Sequence, residues 1–161
     1  MANRSNPCAN RQAADELTYP LHIVVRYELE RAVFDGMMRV ADLEDVWRAT
    51  YEEYLGVTPA DSRESVLQDV HWASGYVGYF PSYVLGNMHA AQIFDALFAD
   101  VPGALARLGE GDPSGMCGWL REHVWRFGQT CTAPETLRLA TGADLDVGHN
   151  LAHLRRRFCR V

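Results

Sequence analysis

The chain has 161 residues, of which 48% are hydrophobic and 22% charged, and a formal net charge of −6. That is long enough for one domain with a real core, and the acidic balance argues against nucleic-acid and anionic-membrane partners, which need clustered Lys and Arg. The one basic cluster, Arg155, Arg156, Arg157 and Arg160, lies at the C-terminus, where cations suit a solvated helix end. No apolar stretch approaches the ~20 residues of a membrane span, and the first residues carry no apolar signal core, so a cytoplasmic location is expected. Cys8, Cys117, Cys131 and Cys159 show no Cys-x-x-Cys pair and no zinc-finger spacing, and they read as free thiols.

The pattern is helical nearly throughout, and the expected fold class is all-α. From Ala13 to Phe34, Leu17, Leu21, Val24, Val25, Leu29 and Val33 recur at spacings of three and four, which predicts one long helix. Pro20 falls inside it and predicts a kink or a boundary, and Gly36 ends it. Asp42 is expected to cap a second helix reaching about Leu55, with Leu43, Val46, Trp47 and Tyr54 as its stripe. Gly56 to Gly78 is the least regular stretch, with Pro59, Asp61 and Ser62 as turn signals. Pro81 suits a helix start, and that helix is expected to run to about Val101. Its apolar residues, among them Tyr83, Leu85, Ile93, Phe94, Leu97 and Phe98, lie on most sides, as in an interior helix of a larger protein. Pro102, Pro113 and Pro134 each open a shorter helix, and Asp146 can cap a last one to about Phe158. With no repeat, low-complexity tract or linker, residues 1–161 read as a single segment without internal boundary.

One run stands apart: Gln68-Asp69-Val70-His71-Trp72-Ala73-Ser74-Gly75-Tyr76-Val77-Gly78-Tyr79-Phe80-Pro81-Ser82-Tyr83. It gathers an amide, a carboxylate, an imidazole, an indole and phenols around glycines that let backbone approach a ligand. It resembles the G-x-x-Q-D-x-H-W motif and the following G-Y-F-P-[ST]-Y segment of the carboxypeptidase Taq-type zinc metallocarboxypeptidases. Ser65 stands where that motif begins with glycine. Upstream, Arg11-Gln12-Ala13-Ala14-Asp15-Glu16-Leu17-Thr18-Tyr19 resembles the family's I-R-x-x-A-D-E-[LV]-T-Y, with Asn10 in place of isoleucine. Leu21-His22-Ile23, Arg26 and Glu28 fit the helix that continues it; Gly86-Asn87, Ala90-Ala91-Gln92, Thr132, Pro134 and Ala140-Thr141-Gly142 fit later segments.

The resemblance covers nearly the whole chain and implies the C-terminal third of a longer all-α fold with a deep groove, similar to angiotensin-converting enzyme and neurolysin. It implies removal of C-terminal residues from peptide substrates. Family zinc is held by the two histidines of H-E-x-x-H and a later glutamate, and the motif's own glutamate activates the zinc-bound water. H-E-x-x-H is nowhere in these residues, so the resemblance implies that a missing N-terminal part carries the zinc. The chain alone is then expected to bind no zinc and to be inactive. It is also expected to self-associate, a homodimer being one form.

The resemblance further points to Tyr79 and His71 as catalytic donors to the scissile carbonyl, since a phenol or imidazole N–H can stabilise the charge that develops there. The competing reading of each is a packed side chain with a satisfied polar atom. Arg11 reads either as the group that pairs with the substrate's terminal carboxylate, oriented by Asp15, or as half of an i,i+4 helix pair with Asp15. Gln68, Asp69, Trp72 and Tyr83 are expected to line or brace the groove. His149 and His153 have helical zinc-ligand spacing, but Asn150 follows His149 where a catalytic glutamate would stand, so they read as a surface coincidence. A stand-alone helical peptide-binding module, without catalysis, is the alternative function.

Overall fold

A computed structural model describes residues 4–159, and the all-α expectation is met: no strand occurs among the described residues. The α-helices are α1 (Tyr19–Phe34), α2 (Leu43–Leu55), α3 (Pro81–Asp100), α4 (Ala104–Gly109), α5 (Ser114–His123), α6 (Ala133–Thr141) and α7 (Val147–Phe158). The first begins at Tyr19, not at Ala13. Pro20 sits in its opening turn, where a missing N–H costs nothing. Ahead of it, the Asp15 carboxylate accepts from the N–H groups of Leu17 (3.0 Å) and Thr18 (2.9 Å). Such a local aspartate bond competes with the helix ladder, which is why the periodicity at Leu17 overran the true start. Arg11–Ala13 forms a separate 3-10 turn.

Asp42 occupies the N-cap position of α2, as expected, but its side chain does not do the capping. A 3-10 turn, Val40–Asp42, leads into the helix, and the Asp42 side chain makes no cap bond. Arg39 holds its carboxylate instead, at 2.6 and 2.8 Å. The end of the chain conforms better. Thr132 and Glu135 form a reciprocal capping box at the start of α6, and Asp146 accepts from Gly148 N–H at 2.7 Å at the start of α7.

The chain divides into two compact units, and the division falls inside α3, after Leu85. In the first unit α1 packs on α2 around Val25, Leu29, Trp47, Tyr51 and Leu55. Trp47 and Tyr51 stack with centroids 5.4 Å apart. Arg156 to Cys159 also belong to this unit, and Arg157 pairs there with Glu16. In the second unit Leu97, Ala104, Trp119 and Ala140 are the buried core. Gln92, fully enclosed, ties the loop before α7 by donating to Asp144 O and accepting from Asp146 N–H.

Candidate functional site

The site grows from a polar stripe on α1. His22, Arg26 and Glu30 recur every fourth residue and are all buried, alongside Val25 and Leu29. Burying charge is costly unless each group is paired and hydrogen-bonded, and here the irregular stretch before α3 supplies the partners. Asp69 takes Arg26 Nε on one oxygen at 2.7 Å, and Arg11 on the other through Nη2 (2.6 Å) and Nε (3.1 Å). Gln68 braces both arginines: its carbonyl accepts from Arg11 N–H and from Arg26 Nη2, each at 2.9 Å. Its amide donates to Ala9 O and Glu64 O. Burial pushes the Asp69 carboxyl up, but the bonds and charges of Arg11 and Arg26 outweigh it and hold the group below the usual carboxylate value.

The two arginines are not equivalent. Arg26 is fully enclosed, with Nη1 donating to His22 O (2.7 Å) and Tyr51 Oη (2.8 Å), and its plane lies over Trp47 at 4.7 Å. Arg11 has its side-on edge on Asp69 and Nη1 donating to Tyr19 Oη at 3.3 Å. Of the five N–H bonds of a guanidinium, these contacts use three, and two take no partner among the described residues. The Arg11 plane lies over the Tyr83 ring at 4.9 Å.

His22 completes the inner layer. Arg26 fills the acceptor side of the Tyr51 hydroxyl, so that hydroxyl gives its proton to His22 Nδ1, 3.0 Å away. Burial, then the charges of Arg26 and Arg11, lower the His22 pKa from 6.5 to about 4. Below pH 6.5 the unfolded chain takes up a proton that the folded chain refuses until about pH 4. Stability from neutral His22 is therefore complete above pH 6.5 and is lost as pH falls through that window, by about 3 kcal/mol in all. Denaturant unfolding across this range should show that loss, and His22→Gln should flatten it; an unchanged slope in the variant would assign the acid sensitivity elsewhere.

The aromatic run forms the outer layer. Glu30 accepts from the Trp72 indole N–H at 2.7 Å and from Gly78 N–H, so one carboxylate closes both ends of the loop. Gly75 and Gly78 take left-handed backbone there, φ 77° each, a conformation glycine adopts without strain. Ser65 needs no such freedom: no non-glycine residue among those described has positive φ, and its buried hydroxyl donates to Asp61 O at 3.2 Å. His71 has Nε2 2.9 Å from Tyr83 Oη, with its ring 4.5 Å from Phe80 and 5.7 Å from Tyr79. Tyr79 is 45% exposed, and its hydroxyl takes no partner among the described residues.

Of the residues expected at the site, Arg11, Gln68, Asp69, His71, Trp72, Tyr79 and Tyr83 come together. Asp15 does not join them as the partner of Arg11. Its carboxylate accepts from Asn6 N–H (2.7 Å), Leu17 and Thr18, and Asp69, 58 positions away, holds Arg11 instead. Sequence reasoning missed His22, Arg26 and Glu30 as a set. Polar groups every fourth residue beside an apolar stripe were the available signal. In the second unit, His149 Nδ1 lies 2.7 Å from Asp95 Oδ2. Among the described residues no group of three or more His, Cys, Asp or Glu could hold a metal ion.

Comparison with known proteins identifies the family. The profile of the Carboxypeptidase Taq (M32) metallopeptidase family matches residues 1–158. Carboxypeptidase 1 of Bacillus subtilis (strain 168) is 43% identical over 159 residues, which are 99% of this chain and 32% of that protein. Among solved structures, Trypanosoma cruzi metallocarboxypeptidase 1 superposes with a TM-score of 0.92 at 37% identity, covering 99% of this chain and 34% of the other. An M32 carboxypeptidase from Deinococcus radiodurans R1 gives 0.91 at 42% identity, covering 96% and 31%. The chain spans about a third of the length of the curated relatives it matches, and with a profile match over nearly its whole length it belongs to the Carboxypeptidase Taq (M32) metallopeptidase family.

Proposed function

We propose that this chain is the C-terminal part of a metallocarboxypeptidase, forming the groove wall that reads the free C-terminus of a peptide. The observation that carries this is the state of Arg11: Nε and Nη2 are locked on Asp69 and Nη1 reaches Tyr19 Oη, which leaves two of the five guanidinium N–H bonds without a partner among the described residues. Two arginines on one aspartate leave a net positive charge, and a guanidinium edge matches a carboxylate bidentately. Tyr79 supplies the donor to the oxygen that gains charge, because its hydroxyl is uncommitted and its ring is braced by Tyr76, His71 and Tyr83. Gln68, Asp69 and Trp72 hold this wall from behind.

The residues present do not fit the family's zinc. The sequence contains no H-E-x-x-H, and the described residues offer no metal-holding group. Zinc and the base belong, in this reading, to polypeptide outside these residues. A cytoplasmic location goes with it, supported by four free cysteines; no helix among the described residues is long and apolar enough to cross a membrane.

The test joins this segment to the remaining part of Bacillus subtilis Carboxypeptidase 1 and compares peptides with free and amidated C-termini. Arg11→Ala should weaken selection for the free terminus by roughly ten- to a hundredfold, the scale of one or two hydrogen bonds to a charged group. Unchanged selection would return Arg11 to a purely bracing role.

The same reading predicts that the isolated chain associates with itself. Phe34, Met37, Leu67 and Val70 in the first unit, and Phe94, Phe98 and Leu105 in the second, are exposed, and exposed apolar surface on this scale drives association. Sedimentation should show mass rising with concentration, a homodimer being the simplest product. A monodisperse monomer with a sharp cooperative melt would refute it.

A further inference from the structure

The contacts of His71 point to a role other than proton donation to substrate. Its Nε2 is 2.9 Å from Tyr83 Oη. Its Nδ1 is buried without a hydrogen-bond partner and faces Asp69 Oδ1 at 3.8 Å. That distance is too long for a hydrogen bond, yet it decides the tautomer. A bare Nδ1 lone pair would point at a carboxylate in a low-dielectric pocket, whereas an Nδ1–H dipole would be attracted to it. With the proton on Nδ1, Nε2 must accept, and the Tyr83 hydroxyl must donate. A second observation favours the same direction. The Arg11 guanidinium lies over the Tyr83 ring at 4.9 Å, and a cation there stabilises negative charge on the phenol and so strengthens its O–H as a donor.

We propose that His71 is a positioning residue: held as the Nδ1–H tautomer by Asp69, it accepts the Tyr83 hydroxyl proton and pins the Tyr83 ring beneath Arg11, so setting selection for a free C-terminal carboxylate. Four residues then form a closed loop: Asp69 on Arg11 (2.6 Å), Arg11 over Tyr83 (4.9 Å), Tyr83 on His71 (2.9 Å), and His71 facing Asp69 (3.8 Å). Phe80 packs against the His71 ring at 4.5 Å and keeps it from turning. Tyr79 keeps an uncommitted hydroxyl among the described residues. The selectivity part rests on the reading of Arg11 given above; the tautomer part does not.

Solid-state nitrogen NMR of the full chain, labelled in its histidine rings, tests the tautomer whether or not the protein self-associates. The His71 signals are identified by their loss in His71→Gln. A pyrrole-type Nδ1 with a hydrogen-bonded pyridine-type Nε2 is expected, and in Tyr83→Phe the Nε2 signal should move to that of an acceptor without a donor. A pyrrole-type Nε2 in the unsubstituted chain would overturn the proposal. In the joined enzyme, His71→Leu should raise KM for free-terminus peptides roughly tenfold, the scale of a partly desolvated cation–π contact, with kcat little changed. His71→Gln, whose amide oxygen can accept from Tyr83, should restore KM. A fall in kcat in both variants with KM retained would mark His71 as a proton donor and refute the positioning role. If Arg11→Ala leaves selection intact, the proposed function fails while the NMR result on His71 stands by itself.

Discussion

Replacing Asp69 by alanine should cost about 3–5 kcal/mol of folding stability, the loss expected when one partner of a buried ion pair is removed. The Asp69 carboxylate is 8% exposed and is the partner of two guanidinium groups that are themselves buried. Without it, Arg11 and Arg26 are left as two enclosed cations with no counter-charge, and their Nε donors lose their acceptor. Gln68 cannot compensate, because its carbonyl and amide are already committed. A domain with about 5–15 kcal/mol of total stability would lose a large part of it, so much of the purified variant should be unfolded or aggregated. Denaturant titration of Asp69→Ala measures this directly, and a change within about 0.5 kcal/mol, the range of an ordinary surface substitution, would show that the triad holds nothing together. Acid should act in the same direction. The folded-state pKa of Asp69 lies below its unfolded value, so its contribution is complete above the unfolded pKa and disappears as pH falls through the folded one.

In the joined enzyme, Tyr79→Phe should lower kcat/KM by roughly 10²–10³, the cost of removing one donor from an oxyanion. The loss should fall on kcat, since the hydrogen bond strengthens as charge develops on the oxygen. Folding is a small complication at this position. The residue is 45% exposed and its hydroxyl is without a partner among the described residues, and phenylalanine retains the ring contacts with His71, Tyr76 and Tyr83. The variant should therefore unfold within about 0.5 kcal/mol of the unsubstituted chain. Wild-type kcat in Tyr79→Phe would remove the catalytic role and leave the phenol as an exposed member of an aromatic cluster.

Helix content and most helix starts were legible because their causes are local. Pro81 opens α3, and Pro134 sits in the first turn of α6. The places where periodicity misled are those where another local bond competed. Asp15 captured Leu17 and Thr18 N–H groups ahead of α1, and Arg39 drew Asp42 away from the cap. Family membership was also legible, because two motifs lie at their proper separation in one chain.

What the sequence by itself determined is the inventory: helices with their breaks at proline and glycine, the polar and aromatic run from Gln68 to Tyr83, and Arg11 ahead of the first helix. Which groups meet was decided only by the tertiary structure. Helical spacing speaks for neighbours three or four positions apart, and so it paired Arg11 with Asp15. Asp69, 58 positions from Arg11 and 43 from Arg26, became the shared anion because α1 carries Arg26 into the core, where a buried cation must find a counter-charge. The same demand turned His22 and Glu30, ordinary polar letters in the sequence, into the inner supports of the site.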